Sequence, residues 1–275
     1  FRNKLFKNMI ALSLIKNKKL KIIEKKISKI LHPLKCRLQI LYSGICASDI
    51  PRAFNSMAYT YPLIMGHEFV GKIIQIGKSV KQFSRNDTVS AYPLIPQCIN
   101  NARKNKCDYC KSENYNLCNN YSYYGSRIDG SFCEILDVYE WNLYKINKKI
   151  NYNVCSLIEP TAVAFNILDK FPNFLSKKNR VLLIGSGFIG QILARILKKK
   201  NQNINLTTLD RNLFKLKKIK KYSSDQLLFK NKNTREDQYI LSSLCNKFDV
   251  VIESSGNSKN FISSLNFVKK NGVII

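Results

Sequence analysis

The sequence is short of several things, and each shortage excludes something. No apolar run approaches the roughly 18 residues that a membrane-crossing helix needs. The opening FRNKLFKNMIALSLIKNKKL has a basic flank and an apolar run, but the run is short and lysines resume at once. No small-residue cleavage site follows, so it does not read as a signal or transit peptide. Residues 1–8 are expected to be a leader without a role in the fold, and Met9 to open the first strand. Acidic residues are scarce, 18 against 46 Lys and Arg, for a formal charge of +28. Taken alone, that charge suggests nucleic acid or another acidic surface. Lys, Asn and Ile are abundant together along the whole chain, however, as an AT-rich genome dictates, so most of the charge reads as solvated lysine. There are no internal repeats and no low-complexity linker. Histidine occurs twice, as His32 and His67.

Cysteine, by contrast, occurs nine times in 275 residues. An odd number without a secretion signal argues for a reducing, cytoplasmic setting and against a disulfide framework. Cys36, Cys133, Cys155 and Cys245 are scattered in apolar surroundings and read as small core residues. Cys107, Cys110 and Cys118 fall within KCDYCKSENYNLC, with Cys98 upstream. Redox pairing, metal binding and accident are the candidate readings of that spacing.

The chain has two rhythms. Up to about residue 165 it reads as short strands broken by turns: CRLQILYSG, EFVGKIIQIG, DTVSAY and FCEILDVY. From about Arg180 it alternates strand and helix through RVLLIG, FIGQILARILKKK, INLTTLD, NLFKLKKIKKY, QLLF, REDQYILSSLCNK, FDVVIE, NFISSLNFVKK and GVII. That alternation is the pattern of a parallel sheet with crossover helices. The expected division is a β-rich domain over 9–165, carrying a cysteine lobe at about 96–120, and an α/β domain over 166–275. FNILDKFPNFLSKKN is expected to join them as helix and loop. The chain stops at NGVII, so a doubly wound sheet of six strands would lack its last one and the chain reads as a fragment.

GSGFIG follows a strand and opens a helix, and a second strand then ends in Asp210. In that context the motif is a dinucleotide site. Gly185 permits the tight turn. Gly187 lets the backbone approach a pyrophosphate at the helix N-terminus, next to Phe188 and Ile189, and Gly190 allows close packing of helix on strand. Asp210 can accept from both ribose hydroxyls and would repel a 2′-phosphate, which favours NAD; Arg211 beside it could tolerate the phosphate. His32 precedes a proline and reads as a surface or turn residue. His67 is adjacent to Glu68, with Cys46, Ser48 and Asp49 upstream in GICASDIPR and Glu159 downstream in LIEPTAVAF. Thiolate, imidazole and carboxylate make a plausible zinc shell with one position open. A buried histidine satisfied by its neighbours is the competing reading.

GICASDI, GHEFVGKIIQIG, the cysteine lobe, DGSFCEILDV, EPTAV and GSGFIG occur in that order, and through them the chain resembles the zinc-containing medium-chain alcohol and polyol dehydrogenases from about Met9 to the end. The resemblance implies a GroES-like catalytic domain followed by a Rossmann domain. It implies a catalytic zinc held by Cys46, His67 and Glu159, with Glu68 able to ligate or support it. Ser48 would pass the alcohol proton, and Asp49 would orient the histidine. Pro51 stands where some relatives have an outer proton-relay histidine. The lobe would hold a structural zinc through Cys98, Cys107, Cys110 and Cys118, although eight residues separate Cys98 from Cys107 where the family has two. Asn86 replaces the glycine usual in GDxV. The motifs SDIPR, YPLIMGHEF, PLIP and YGSRIDGSF point within the family toward polyol phosphates, most specifically the oxidation of galactitol 1-phosphate at C5 to tagatose 6-phosphate, with sorbitol and butanediol as alternatives. Arg52 or Arg127 would grip the phosphate, unless each makes a structural ion pair. The implied partners are a small polyol and NAD, with no nucleic acid or membrane, in a homodimer or homotetramer. A basic zinc-ribbon protein binding nucleic acid would explain the charge and the lobe. It would leave GSGFIG, Asp210 and the His67–Glu68 pair without a purpose.

Overall fold

The computed structural model describes residues 7–100, 106–147, 149–170, 179–230 and 234–275. The chain forms two compact units, Phe1–Glu159 and Pro160–Ile275.

The first unit contains strands β1 (Asn8–Lys16), β2 (Lys19–Lys26), β3 (Lys35–Gly44), β4 (Leu63–Ile64), β5 (Glu68–Ile76), β6 (Thr88–Ala91), β7 (Leu94–Pro96), β8 (Tyr121–Tyr123), β9 (Ile135–Tyr139) and β10 (Leu143–Lys145). An antiparallel sheet runs β10-β6-β5-β3-β9, and smaller sheets run β2-β1-β4 and β7-β8. β5 lies between β6 and β3, which is why EFVGKIIQI is nearly continuous in apolar residues at its start rather than alternating. Cys36, Leu38, Phe69, Ile73, Val89, Tyr124 and Val138 pack together as its core. Asn86 has a φ of +73°, so the left-handed turn that the family builds with glycine is kept here by a residue that tolerates it. Lys7 and Asn8 are not a free leader. Asn8 pairs with Lys26, and the Lys7 carbonyl accepts from the N–H of Ile27 at 2.9 Å, because the hairpin β1-β2 extends to its full length. The rest of the expected leader, residues 1–6, lies outside the described residues.

Tyr124 is fully buried, and its hydroxyl accepts from the backbone N–H of Tyr139 at 3.1 Å. Tyr124→Phe leaves that N–H without this acceptor and is expected to cost about 1–3 kcal/mol of unfolding free energy. Chemical denaturation of the variant checks this; an unchanged midpoint would mean that the hydroxyl contributes nothing.

The second unit is a sheet of five parallel strands: β11 (Arg180–Ile184), β12 (Asn205–Asp210), β13 (Asp225–Leu228), β14 (Phe248–Glu253) and β15 (Val268–Ile274), in the order β13-β12-β11-β14-β15. Both faces are covered, and the alternation along β11 shows how. Val181 and Leu183 pack with Leu193, Leu197 and Ile219 on one side. Leu182 and Ile184 pack with Ile240, Leu244 and Phe267 on the other. A strand buried on both faces has no polar side, so β11 is apolar from Val181 to Ile184, after the exposed Arg180 at its start. The helices are Phe188–Lys200, Leu213–Ile219, Arg235–Leu244 and Ser258–Phe267. The last is shorter than its periodicity suggests: VKK of NFISSLNFVKK belongs to β15, where Val268 pairs with Phe248. Tertiary pairing overrides the helical pattern there. The helix Ile158–Asp169 contains the start of the expected joining segment, while residues 171–178 lie outside the described residues. No helix among the described residues is long and apolar enough to cross a membrane.

Of the four scattered cysteines, Cys36 and Cys155 are buried and Cys133 is half-buried. Cys245 is exposed, contrary to expectation, because it caps the C-terminus of the helix Arg235–Leu244 at the surface.

Candidate metal centres and glycine turn

The thiol of Cys46, the imidazole of His67 and the carboxylate of Glu68 converge, with one donor atom from each within 4.8 Å of the others. Strand register does most of this. β3 and β5 pair so that Gly44 faces Glu68, two residues before Cys46. A Cβ on Gly44 would collide with the Glu68 carboxylate, so the glycine is what leaves room for it. Cys46 is then fixed by a turn: its N–H donates to Asp49 Oδ2 at 3.0 Å, and its carbonyl accepts from the N–H of Asp49 at 3.0 Å. Asp49 opens the short helix Asp49–Phe54 and is buried.

His67 is held from behind. Gly66, with φ +93°, has no space for a Cβ, which would meet the Phe132 ring at 2.5 Å and Ser131 Oγ at 2.7 Å. The backbone from Ile64 to Gly66 accepts from Gly130, Ser131 and Phe132 at 2.7–3.0 Å. Any Cβ on Gly125 or Gly130 would strike the Gly66 carbonyl. The glycines of YGSRIDGSF therefore support the peptide that aims His67. Their role is invisible in sequence, since they lie about sixty residues downstream of it.

His67 Nδ1 is buried without a hydrogen-bond partner and lies 3.7 Å from Asp49 Oδ1. A carboxylate facing one imidazole nitrogen is the usual support for a ring whose other nitrogen ligates a metal. Burial lowers the His67 pKa, against the opposing pull of Asp49. Burial likewise raises the Cys46 thiol and Glu68. Glu159 is pushed up to about 7 by burial and then by the charge of Glu68. Soft and hard anionic donors crowded into a low-dielectric site, with Arg52 as the neighbouring cation, fit a divalent ion of zinc's preferences.

Glu159 itself is not one of the three converging donors. It sits in the first turn of the helix Ile158–Asp169, where its Oε1 accepts from the Tyr123 hydroxyl at 3.4 Å. Tyr123 in turn packs edge-on against His67, with centroids 5.8 Å apart. Sequence reading missed Tyr123, for which YSYYGS gives no signal. Ser48 Oγ accepts from Arg52 Nη1 at 2.9 Å, and the same nitrogen reaches Asp49 Oδ1 at 3.3 Å. Arg52 is thus engaged as a structural ion pair. Arg127 is exposed, over the rings of Tyr59 and Tyr121. His32 accepts from the N–H of Leu34 and packs on Tyr139.

In the lobe, one sulfur from each of Cys98, Cys107, Cys110 and Cys118 lies within 4.8 Å of the others. The Cys98 and Cys118 sulfurs are 3.7 Å apart, far beyond a bond of about 2.05 Å. They are close to the roughly 3.8 Å edge of a tetrahedron with zinc–sulfur distances of about 2.3 Å. Backbone N–H groups of Asn119 and Cys110 draw the Cys107 thiol down to about 6, and Cys107's own N–H lowers Cys98. Burial pushes Cys110 up. Amides aimed at sulfur favour thiolate, the form that binds metal. The stretch 101–105, within the insertion, lies outside the described residues.

In the second unit, Gly185 has φ +96° and a Cβ there would meet Ser255 N at 2.8 Å. Gly187 caps the helix Phe188–Lys200 and has open space beside it, whereas a Cβ on Gly190 would strike the Gly185 carbonyl. Phe188 is exposed and Ile189 half-buried. Asp210, at the end of β12, accepts from Ser186 N–H at 2.7 Å and from Asn212 N–H at 2.8 Å. Its carboxylate therefore sits at the glycine turn, with Arg211 exposed beside it.

Comparison with known proteins agrees with this anatomy. Residues 32–148 match the Alcohol dehydrogenase GroES-like domain, and residues 181–273 match the Saccharopine dehydrogenase NADP binding domain. The chain is 27% identical over 240 residues to sorbitol dehydrogenase of Halalkalibacterium halodurans, covering 86% of this chain and 66% of that one. It is 35% identical over 173 residues to galactitol 1-phosphate 5-dehydrogenase of Escherichia coli K12, covering 62% of this chain and 46% of the relative. The chain thus spans less than two thirds of the length of these curated relatives. The crystal structure of galactitol-1-phosphate dehydrogenase from Escherichia coli superimposes with a TM-score of 0.80 at 25% identity, over 95% of this chain and 72% of that one. With a GroES-like unit followed by a parallel dinucleotide-type sheet, the chain is built like these alcohol and polyol dehydrogenases.

Proposed function

We propose that the protein oxidises a secondary alcohol of a polyol phosphate with NAD, and that galactitol 1-phosphate, converted to tagatose 6-phosphate, is its substrate. The observation that carries this reading is the convergence of Cys46, His67 and Glu68, with Tyr123 between His67 and Glu159. Cys46, His67 and Glu68 would hold the catalytic zinc, with Glu159, which feels the charge of Glu68, as a further candidate carboxylate, and Gly185, Gly187, Phe188, Ile189, Gly190 and Asp210 would seat the NAD. When bound, zinc supplies Lewis acidity to a ligated alcohol and NAD supplies the hydride acceptor. The protein's own part is positioning and proton handling. Asp49 faces the His67 ring and fixes its orientation. Arg52 donates to Ser48 Oγ, which holds that hydroxyl in place and leaves it a lone pair to accept the substrate proton while its own proton passes to solvent. Tyr123 steadies the Glu159 carboxylate. Asp210 favours NAD, because a carboxylate accepts from ribose hydroxyls and repels a 2′-phosphate. Cys98, Cys107, Cys110 and Cys118 would hold a second, structural zinc.

The test is an assay of the purified protein with NAD and with NADP against galactitol 1-phosphate, galactitol, sorbitol and butanediol. The expected result is reduction of NAD, with kcat/KM for the phosphate ester at least about tenfold above the unphosphorylated polyols, the return on a charge-assisted phosphate contact. Equal turnover of sorbitol or butanediol would overturn the substrate assignment. Steeply salt-dependent DNA binding without dehydrogenation would favour a zinc-ribbon role instead.

A further inference from the structure

The guanidinium of Arg127 lies over two tyrosine rings, 4.6 Å from the centroid of Tyr59 and 4.5 Å from that of Tyr121. Its Nη2 donates to the Tyr121 hydroxyl at 3.0 Å. No carboxylate lies within ion-pair distance of it among the described residues, whereas Arg52 is consumed by Ser48 and Asp49. Two rings beside the planar cation limit its rotamers, and among the described residues only its Nη2 is engaged by a side chain, the Tyr121 hydroxyl, which leaves further N–H donors for a ligand. A fork fixed in this way, without an internal counter-anion, is built to receive an oxyanion bidentately.

Its place matters as much as its chemistry. Tyr121 and Tyr123 share one face of β8, with buried Ser122 between them on the other, so their side chains are about 7 Å apart along the strand. Tyr123 packs on His67 and bonds Glu159. The Tyr123 carbonyl also accepts from the N–H groups of Ser126, Arg127 and Ile128 at 3.0–3.3 Å, so a single turn ties Arg127 to the residue that touches the donor cluster. Tyr59 arrives from the loop that follows the helix Asp49–Phe54, the helix carrying Asp49 and Arg52.

We propose that Tyr59, Tyr121 and Arg127 form the subsite for the phosphate of a phosphorylated polyol, tied through the turn after β8 to Tyr123 beside the donor cluster. The proposal rests on the polyol phosphate reading above. It explains how one end of an extended substrate is anchored while a secondary alcohol near the other end reaches Ser48.

Calorimetric titration with galactitol 1-phosphate and with galactitol, on the wild-type protein and on Arg127→Gln and Arg127→Lys, tests it without relying on turnover. Wild type is expected to bind the ester at least about tenfold more tightly than galactitol, and inorganic phosphate to compete with the ester. Arg127→Gln should weaken ester binding about 10- to 100-fold, collapse the ester-to-polyol ratio and abolish phosphate competition. Arg127→Lys, a charge without a fork, should fall between. A wild type that does not prefer the ester would overturn the subsite. So would an Arg127→Gln protein that binds the ester as wild type does, or that loses ester and galactitol in equal proportion. Ester binding that depends on Arg127 but is never followed by oxidation would leave the subsite standing and sink the oxidoreductase assignment instead.

Discussion

Cys46→Ser is expected to lower alcohol oxidation by at least on the order of a hundredfold while leaving NADH affinity within about twofold. Loss of an outer-shell partner alone already costs about 10- to 100-fold in metal affinity or activity, and loss of a ligand costs more. Serine keeps the turn, because the bonds that fix position 46 run through its backbone to Asp49. It replaces a soft anion with a neutral hydroxyl, however, and leaves His67 and Glu68 as the remaining pair of the converging group. The glycine turn is made wholly by residues of the second unit, Gly185, Gly187, Gly190 and Asp210, so dinucleotide binding has no reason to change. Steady-state kinetics, NADH fluorescence titration and zinc content of the same preparation decide the matter. Loss of both activities, or of neither, would remove Cys46 from the role proposed for it.

Cys107→Ser is expected to remove one of about two zinc ions per chain and to open the segment around residues 96–120 to proteolysis. Among the described residues the lobe has almost no apolar core. Its cluster consists of Cys98, Cys110 and Cys118 with Cys107 and Tyr115 packed against them. A segment held by so little burial depends on a tetrahedral thiolate site for its order, and metal binding and folding are then one equilibrium. Cys107 is the thiol most shifted toward thiolate near neutral pH, through backbone N–H donors that a serine cannot use in the same way. Cys245→Ser, at an exposed position, serves as the control that changes neither metal content nor protease sensitivity. A wild type with one zinc or fewer would sink the four-cysteine site, and an unchanged metal count in Cys107→Ser would remove Cys107 from it.

Much of the molecule was legible in one dimension because its information is local. The strand-to-helix switch near Arg180, the order Gly185, Gly187, Gly190 and Asp210, and the spacing of Cys107, Cys110 and Cys118 are each written within a few residues. Backbone geometry acts on that length scale: a left-handed turn favours glycine, and a strand buried on both faces favours an apolar run such as VLLI. Even the departure at position 86 could be seen, though its reason, a φ of +73°, could not. Local patterns misled where pairing at a distance took over, as when VKK left its helix to become β15 and when Lys7 and Asn8 joined a hairpin.

The sequence by itself determined the two units, the residue types available for metal and dinucleotide chemistry, and the resemblance to the alcohol and polyol dehydrogenases. The tertiary structure alone decided which of those residues meet. The pairing of Gly44 with Glu68 brings Cys46 to a residue some twenty positions away. The pressing of Gly125 and Gly130 on the Gly66 carbonyl aims His67. Tyr123 draws Glu159 to one side, and the arginines part company, Arg52 turned inward to Ser48 and Arg127 outward over two tyrosines. Apart from the local contacts of Arg52 with Ser48 and Arg127 with Tyr121, these are consequences of strand register and side-chain packing between residues tens of positions apart, and no short window on the chain contains both partners.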